Sequence, residues 1–170
     1  MSTEKKNIYE EFVLESLGKR VNDLFRLSMM YFRNEMKKIG FGAGDYAFIA
    51  LLFVKGGLSQ DELSKLMRVD KSYTARALAK LEKIGMVERR PDPEEHRIKR
   101  VCIGAKAREI ESDFFNILRN WHDTIAKGIE PDHLDLFRTM MDKMISNAEV
   151  HLGLEENKIL KPKSGTRDKG

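Results

Sequence analysis

Two helix starts eleven residues apart, followed by a change of period, constrain this chain more than any other feature. Ser59-Gln60-Asp61-Glu62 is a capping box, in which the serine oxygen and the glutamate each satisfy an orphan amide. Leu58 and Leu63 flank it at the positions of a hydrophobic staple. The helix begun there is short, running to about Met67, and Arg68-Val69 supplies a turn. Asp70 caps the next helix, whose inner face carries Thr74, Ala77, Leu78, Leu81 and Ile84 until Gly85 stops it. Beyond Gly85 the pattern turns extended. Residues 86–90 and 99–103 read as the two strands of a hairpin. Pro91-Asp92-Pro93-Glu94-Glu95 reads as loop, since it cannot pair continuously in a sheet.

Helical patterns stand on either side. Phe12, Val13, Leu17, Val21, Leu24, Phe25, Phe32, Met36 and Ile39, mostly three or four apart, predict one long helix from about Glu10 to Lys38. Residues 41–44 break it. Asp45 is placed to cap a second helix through Tyr46, Phe48, Leu51, Leu52 and Val54, which Gly56-Gly57 ends. After the hairpin, Ile110, Phe114, Ile117, Leu118, Trp121 and Ile125 form one apolar stripe. Gly128 and Pro131 separate it from another, formed by Leu134, Phe137, Met140, Met141, Met144, Ile145 and Ala148. From Lys158 onward the chain is basic, aperiodic and expected to be flexible. The fold class predicted is mainly α with a small β-hairpin wing, a winged helix-turn-helix.

At 170 residues, 41% hydrophobic and 34% charged, the chain suits one sizeable core or two small ones, and is too short for a large multidomain enzyme. No apolar run approaches a membrane span, and the charged start leads into no secretory signal. A single cysteine makes no internal disulfide, so a cytoplasmic location is expected. The formal charge of +4 is uneven: residues 59–100 hold 11 Lys/Arg against 8 Asp/Glu, residues 101–157 hold 6 against 11, and residues 158–170 hold 5 against 1.

The second capped helix can enter a DNA major groove, which is wide enough for one. With its apolar face turned inward, Lys71, Ser72, Tyr73, Arg76, Ala79 and Lys80 remain outside, with Ser72 and Arg76 in one line. An arginine there can make a bidentate contact with guanine or clamp a phosphate. The hairpin carries Arg89, Arg90, His96, Arg97, Lys99 and Arg100, a composition suited to a minor groove. A solvated hairpin on any domain would also carry charge, so this alternative stands beside the first. Ser59 and Gln60, at a helix start, are placed to hold a phosphate.

The segments Leu58–Leu66, Asp70–Arg76, Leu81–Gly85, Val87–Pro93 and Glu95-His96-Arg97 together resemble the MarR (multiple-antibiotic-resistance regulator) family. The dense match covers about residues 58–103, and the flanking helices extend it over roughly 10–152. The resemblance implies a homodimeric regulator of transcription, a repressor released by a small aromatic ligand, bound as double-stranded DNA's partner at a near-palindromic operator. It implies four regions: an N-terminal dimerisation helix (1–44), the winged helix-turn-helix (45–105), C-terminal dimerisation helices (106–157) and a basic tail (158–170). The apolar stripes agree, being longer than a small winged domain needs.

The implied DNA-binding residues are Ser59, Gln60, Lys71, Ser72, Tyr73, Arg76, Lys80, Arg89, His96, Arg97 and Lys99. A ligand space between dimerisation helices and winged domain would be lined by Met29, Met30, Tyr31, Phe41, Tyr46 and Phe48, residues that equally suit plain core. The chain departs from the family at Glu95, where Asp is usual, at Ala75, where Ser or Thr is common, and at Gly104-Ala105, where a Thr cap is missing. Cys102 is read as a buried structural thiol, with a reactive thiolate, favoured by its basic neighbours Lys99 and Arg100, as the alternative. His96 is expected on the wing or simply exposed, and His122 packed beside Trp121. His133 and His151 lie at opposite ends of one helix and cannot share a metal. No catalytic constellation, cofactor or metal site is expected. Two rivals remain open: a winged-helix protein-interaction module, and a nucleoid-type DNA binder of low specificity.

Overall fold

The computed structural model describes residues 2–42 and 44–154. In chain order the elements are α1 (Ser2–Glu15), α2 (Leu17–Lys38), α3 (Tyr46–Lys55), β1 (Leu58–Ser59), α4 (Gln60–Met67) and α5 (Lys71–Lys83). They continue as β2 (Val87–Pro91), β3 (Lys99–Ile103), α6 (Ala105–Glu109), α7 (Glu111–Ala126) and α8 (Pro131–His151). The basic tail expected over 158–170 lies outside the described residues.

The single helix expected from Glu10 to Lys38 is two. Ser16 takes an extended conformation and its hydroxyl oxygen accepts the Lys19 amide at 3.1 Å, so a new helix starts there. The apolar spacing runs unbroken across this cap, which is why periodicity alone does not reveal it. Asp45 also departs from expectation. It precedes α3 in a helical rather than extended conformation and makes no cap hydrogen bond, its carboxylate being turned toward α5 instead.

The central helix pair forms as its caps predict. The Ser59 oxygen accepts the Glu62 amide at 3.2 Å and the Glu62 carboxylate accepts the Ser59 amide at 2.7 Å, while Leu58 and Leu63 are both buried. Arg68 closes α4 with φ +53°, and Asp70 opens α5 by accepting the Tyr73 amide at 2.6 Å. Between the two helices Ser64 Oγ lies 3.0 Å from Thr74 Oγ1, both residues buried. This contact fixes the crossing of α4 and α5 inside an otherwise apolar interface.

The wing is part of a three-stranded antiparallel sheet in the order β1-β3-β2, not an isolated hairpin. Leu58 and Ser59 pair with Val101 and Arg100, so the start of α4 is stitched to the wing's returning strand. Pro91, expected in the loop, pairs with Lys99 as the last residue of β2. Because β2 is an edge strand, a proline lacking its N–H is tolerated there. Gly104 is obligatory where β3 leaves the sheet, because a Cβ would overlap the Gly85 carbonyl.

The core gathers Phe32, Met36, Phe48, Ile49, Leu52, Leu63, Leu78, Leu81, Met86, Val101 and Phe114 around α3. Trp121 joins α7 to α2, stacking on Tyr31 with ring centroids 4.8 Å apart and donating its Nε1–H to Ser28 Oγ at 3.1 Å. Its neighbour His122, expected in that packing, is exposed: the next residue of a helix lies about 100° further round it. Other apolar faces are left largely open among the described residues. Phe12 is 73% exposed and Phe25 60%, and Val13, Leu17, Val21, Phe137, Met140 and Met144 are likewise open. Among the described residues, no helix is long and apolar enough to cross a membrane.

Candidate nucleic-acid interface

The outer face of α5 is set by what its inner face buries. Thr74, Ala77, Leu78 and Leu81 lock the helix against the core, which leaves Lys71, Ser72 and Arg76 exposed. Ser72 and Arg76, one turn apart, project on one line with no ion-pair partner among the described residues. Tyr73 is only partly outward: its ring leans on Phe48, centroids 6.3 Å apart, and its hydroxyl lies beside Gly44.

At the wing tip Glu94, Glu95, His96, Arg97 and Lys99 are exposed. The loop is closed by two backbone bonds, from the Asp92 amide to the Ile98 carbonyl at 2.9 Å and from the Ile98 amide to the Glu95 carbonyl at 2.8 Å. Asp92 is buried, and one carboxylate oxygen accepts the amides of Glu94 and Glu95 at 2.8 and 3.0 Å. The other oxygen pairs with Arg100. The Glu95 and Glu94 amides, followed by the Arg100 guanidinium, hold the Asp92 carboxyl below the usual aspartate range. Glu62 is likewise lowered, first by the Ser59 amide and more weakly by Arg100.

Several expected DNA contacts are already engaged. Lys71 pairs with Asp61 at 2.9 Å and Arg89 with Glu82 at 3.3 Å, both on the surface, where such pairs hold weakly and can exchange for phosphate. Lys80 differs: its ammonium lies 2.6 Å from the buried carboxylate of Asp45. Gly42 makes room for this contact, since a Cβ would overlap the Lys80 ammonium. Ser59 has its oxygen and amide committed to the capping box, so a phosphate there would rely on its hydroxyl proton and on the neighbouring amides. Gln60 is half-buried.

Sequence reasoning missed the residues that hold these groups in place. Arg100, one pair below the wing loop, is turned to Asp92, Gly57 and Glu62. Arg68, in the turn between α4 and α5, pairs with the buried Glu149 near the end of α8. Only Asp92 had a local signal, an aspartate between two prolines being a turn-former through its side chain.

Residues 43–99 match the MarR family model. That stretch is similar to a MarR-family domain. Its sequence is similar to the HTH-type transcriptional regulator BilQ of Clostridium symbiosum, with 24% identity over 127 residues, covering 75% of this chain and 88% of that protein. Its fold is similar to a MarR transcriptional regulator from Methanosarcina mazei, with TM-score 0.71 and 27% identity, covering 78% of this chain and 95% of that one. It is also similar in fold to a mutant MarR from E. coli complexed with operator DNA, with TM-score 0.69 and 18% identity, covering 79% and 96% of the two chains.

Of the six residues expected to line a ligand space, two are buried, three half-buried and one exposed. Phe41 and Phe48 are buried in the core, Phe41 against Phe114 and Phe48 against Tyr73, and Met30 is 60% exposed. Met29, Tyr31 and Tyr46 are half-buried, and burial raises the pKa of both tyrosines. A cavity of about 390 Å³ lies elsewhere, lined by Leu17, Val21, Phe25, Phe137 and Met144 among others, and none of the six reaches it. Cys102 is half-buried on β3 against Gly57, whose missing Cβ would fall 2.9 Å from its sulfur.

Proposed function

We propose that this chain is a sequence-specific DNA-binding transcriptional regulator acting as a homodimer, a cytoplasmic repressor released from a near-palindromic operator by a small aromatic ligand. One observation carries the reading: Ser72 and Arg76 project from a doubly capped, core-locked helix beside a wing whose exposed tip presents His96, Arg97 and Lys99. In this reading Ser72, Tyr73 and Arg76 meet base edges in the major groove, and Arg97 enters the flanking minor groove. Lys71, Arg89, Lys99, Ser59 and Gln60 meet phosphates. Lys80, held by Asp45, orients α5 more than it reads DNA.

The uncovered faces of α1, α2 and α8 support the dimer, since a lone chain would leave them in water. A two-fold axis through them would set two copies of α5 about one turn of DNA apart. The match of residues 43–99 to the MarR family model, together with likeness in fold to a MarR seen on operator DNA, supports DNA as the partner. For the ligand, the half-buried Tyr31 and Tyr46, both against Phe32, and the half-buried Met29 are the members of the expected set on which an aromatic molecule would stack.

The test is selection of duplexes from a random pool, followed by titration of the selected and scrambled duplexes at two salt concentrations. Preference for the selected duplex is expected. Arg76→Ala should then cost about 1–3 kcal/mol and blur the preferred sequence. Equal, steeply salt-dependent binding to both duplexes would favour the nucleoid-type binder, and absence of binding the protein-interaction module.

A further inference from the structure

We propose that Arg100 is the positioning residue of the wing, joining the loop that carries Arg97 to the start of α4 so that the two DNA-facing elements are set as one unit. The inference rests on the DNA-binding reading above and adds a residue to it. Arg100, with Val101, is one of two β3 residues at which the sheet's central strand faces both neighbours: it pairs in register with Ser59 on β1 and with Arg90 on β2. Its guanidinium reaches in two directions. Toward the wing, Nε meets the buried Asp92 carboxylate, whose other oxygen holds the Glu94 and Glu95 amides directly before His96 and Arg97. Toward the helix pair, Nη1 donates to the Gly57 carbonyl at 3.2 Å and lies 3.6 Å from the Glu62 carboxylate that completes the Ser59 capping box.

Three features argue that this arrangement sets geometry. The acid is buried, so an arginine removed from it leaves an unpaired charge rather than a hydrated one. A planar guanidinium with donors in a rigid fork transmits orientation, which a lysine's rotating ammonium does not. Gly57 lets the strand approach closely, because a Cβ there would lie 3.4 Å from Arg100 Cβ as well as against Cys102. Without the guanidinium, β1 and β3 keep their backbone pairing while the loop loses its tie to α4. The tip carrying Arg97 should then wander relative to α5 by more than a minor-groove contact tolerates.

The test uses the full chain and the duplexes selected by the wild-type protein, each made with A/T-rich or G/C-rich flanks where the wing would lie. The readout is the ratio of affinities for the two flanks. Arg100→Gln should lower this ratio by about threefold or more, the lower end of coupling between contacting groups, while the preference for the central half-site bases stays. Arg97→Ala should lower it similarly, and the double variant no further, because Arg100 acts through Arg97. Arg100→Lys should recover only part. Should Arg100→Gln melt below the assay temperature, Asp92→Asn cuts the same tie while keeping an oxygen for the two amides, and carries the same expectation. A folded variant with an unchanged ratio, or losses at Arg97 and Arg100 that simply add, would overturn the positioning role. A wild-type chain that selects no duplex would instead overturn the DNA-binding reading on which it rests.

Discussion

The winged unit and the terminal helices solve opposite problems with the same residue types. In the unit from α3 to β3, apolar side chains close on one another, and its buried acids, Asp45 and Asp92, each meet a cation, Lys80 or Arg100. In α1, the first half of α2 and α8, phenylalanine, leucine and methionine recur at the same helical spacing yet stay open to water. One region is complete within a single chain. The other is left open among the described residues. Periodicity reports that a helix has an apolar face and is silent about whose surface covers it.

The comparison is broken most severely by charging the open face. Phe25→Glu with Met144→Glu should convert a dimer to folded monomers in sedimentation, and operator affinity should fall about 10²-fold or more as linked half-site binding is lost. Unchanged sedimentation would mean that these faces are not the dimer contact. In the closed region the largest effect is a cavity: Leu78→Ala, at a fully buried position, should cost about 2–5 kcal/mol in urea unfolding. The equivalent truncation at exposed Phe12, measured on the monomeric double variant, should change little.

Smaller effects sharpen the same contrast. Ser59→Ala removes one half of the capping box and should cost about 1 kcal/mol, whereas Lys71→Ala, which loses only a surface ion pair, should stay within about 0.5 kcal/mol. The least effect concerns acid. Glu62 and Asp92 both have folded pKa values below their ordinary 4.5 and 3.8, so their stabilisation is complete above those values. It is lost as pH falls through the lower, folded values. Urea midpoints of wild type and of Glu62→Gln with Asp92→Asn should converge as pH is lowered below about 4, and a constant gap would remove these carboxylates from the account.

Much of this was legible because it is local. The capping box, the Asp70 cap, the Gly85 stop and the switch to an extended period each lie within a few residues of the element they control. Where local signals competed, the sequence misled. Asp45 has the composition of a cap, and a lysine on another helix outbid the α3 amides for its carboxylate. Ser16 starts a helix in the middle of an unbroken apolar pattern. Pro91 pairs because β2 proved to be an edge.

The sequence by itself determined the architecture that reads DNA: two capped helices, a turn, a wing, and an arginine on the outward line of the second helix. These follow from hydrogen bonds and periodicities that span at most a few residues. Only the tertiary structure decided which cations are left for a partner. Lys80 meets Asp45 from 35 positions away, Arg68 meets Glu149 from 81, and Arg100 reaches Gly57 from 43. A charge is free or bound according to what the folded chain brings within hydrogen-bond reach, and no local spacing encodes that.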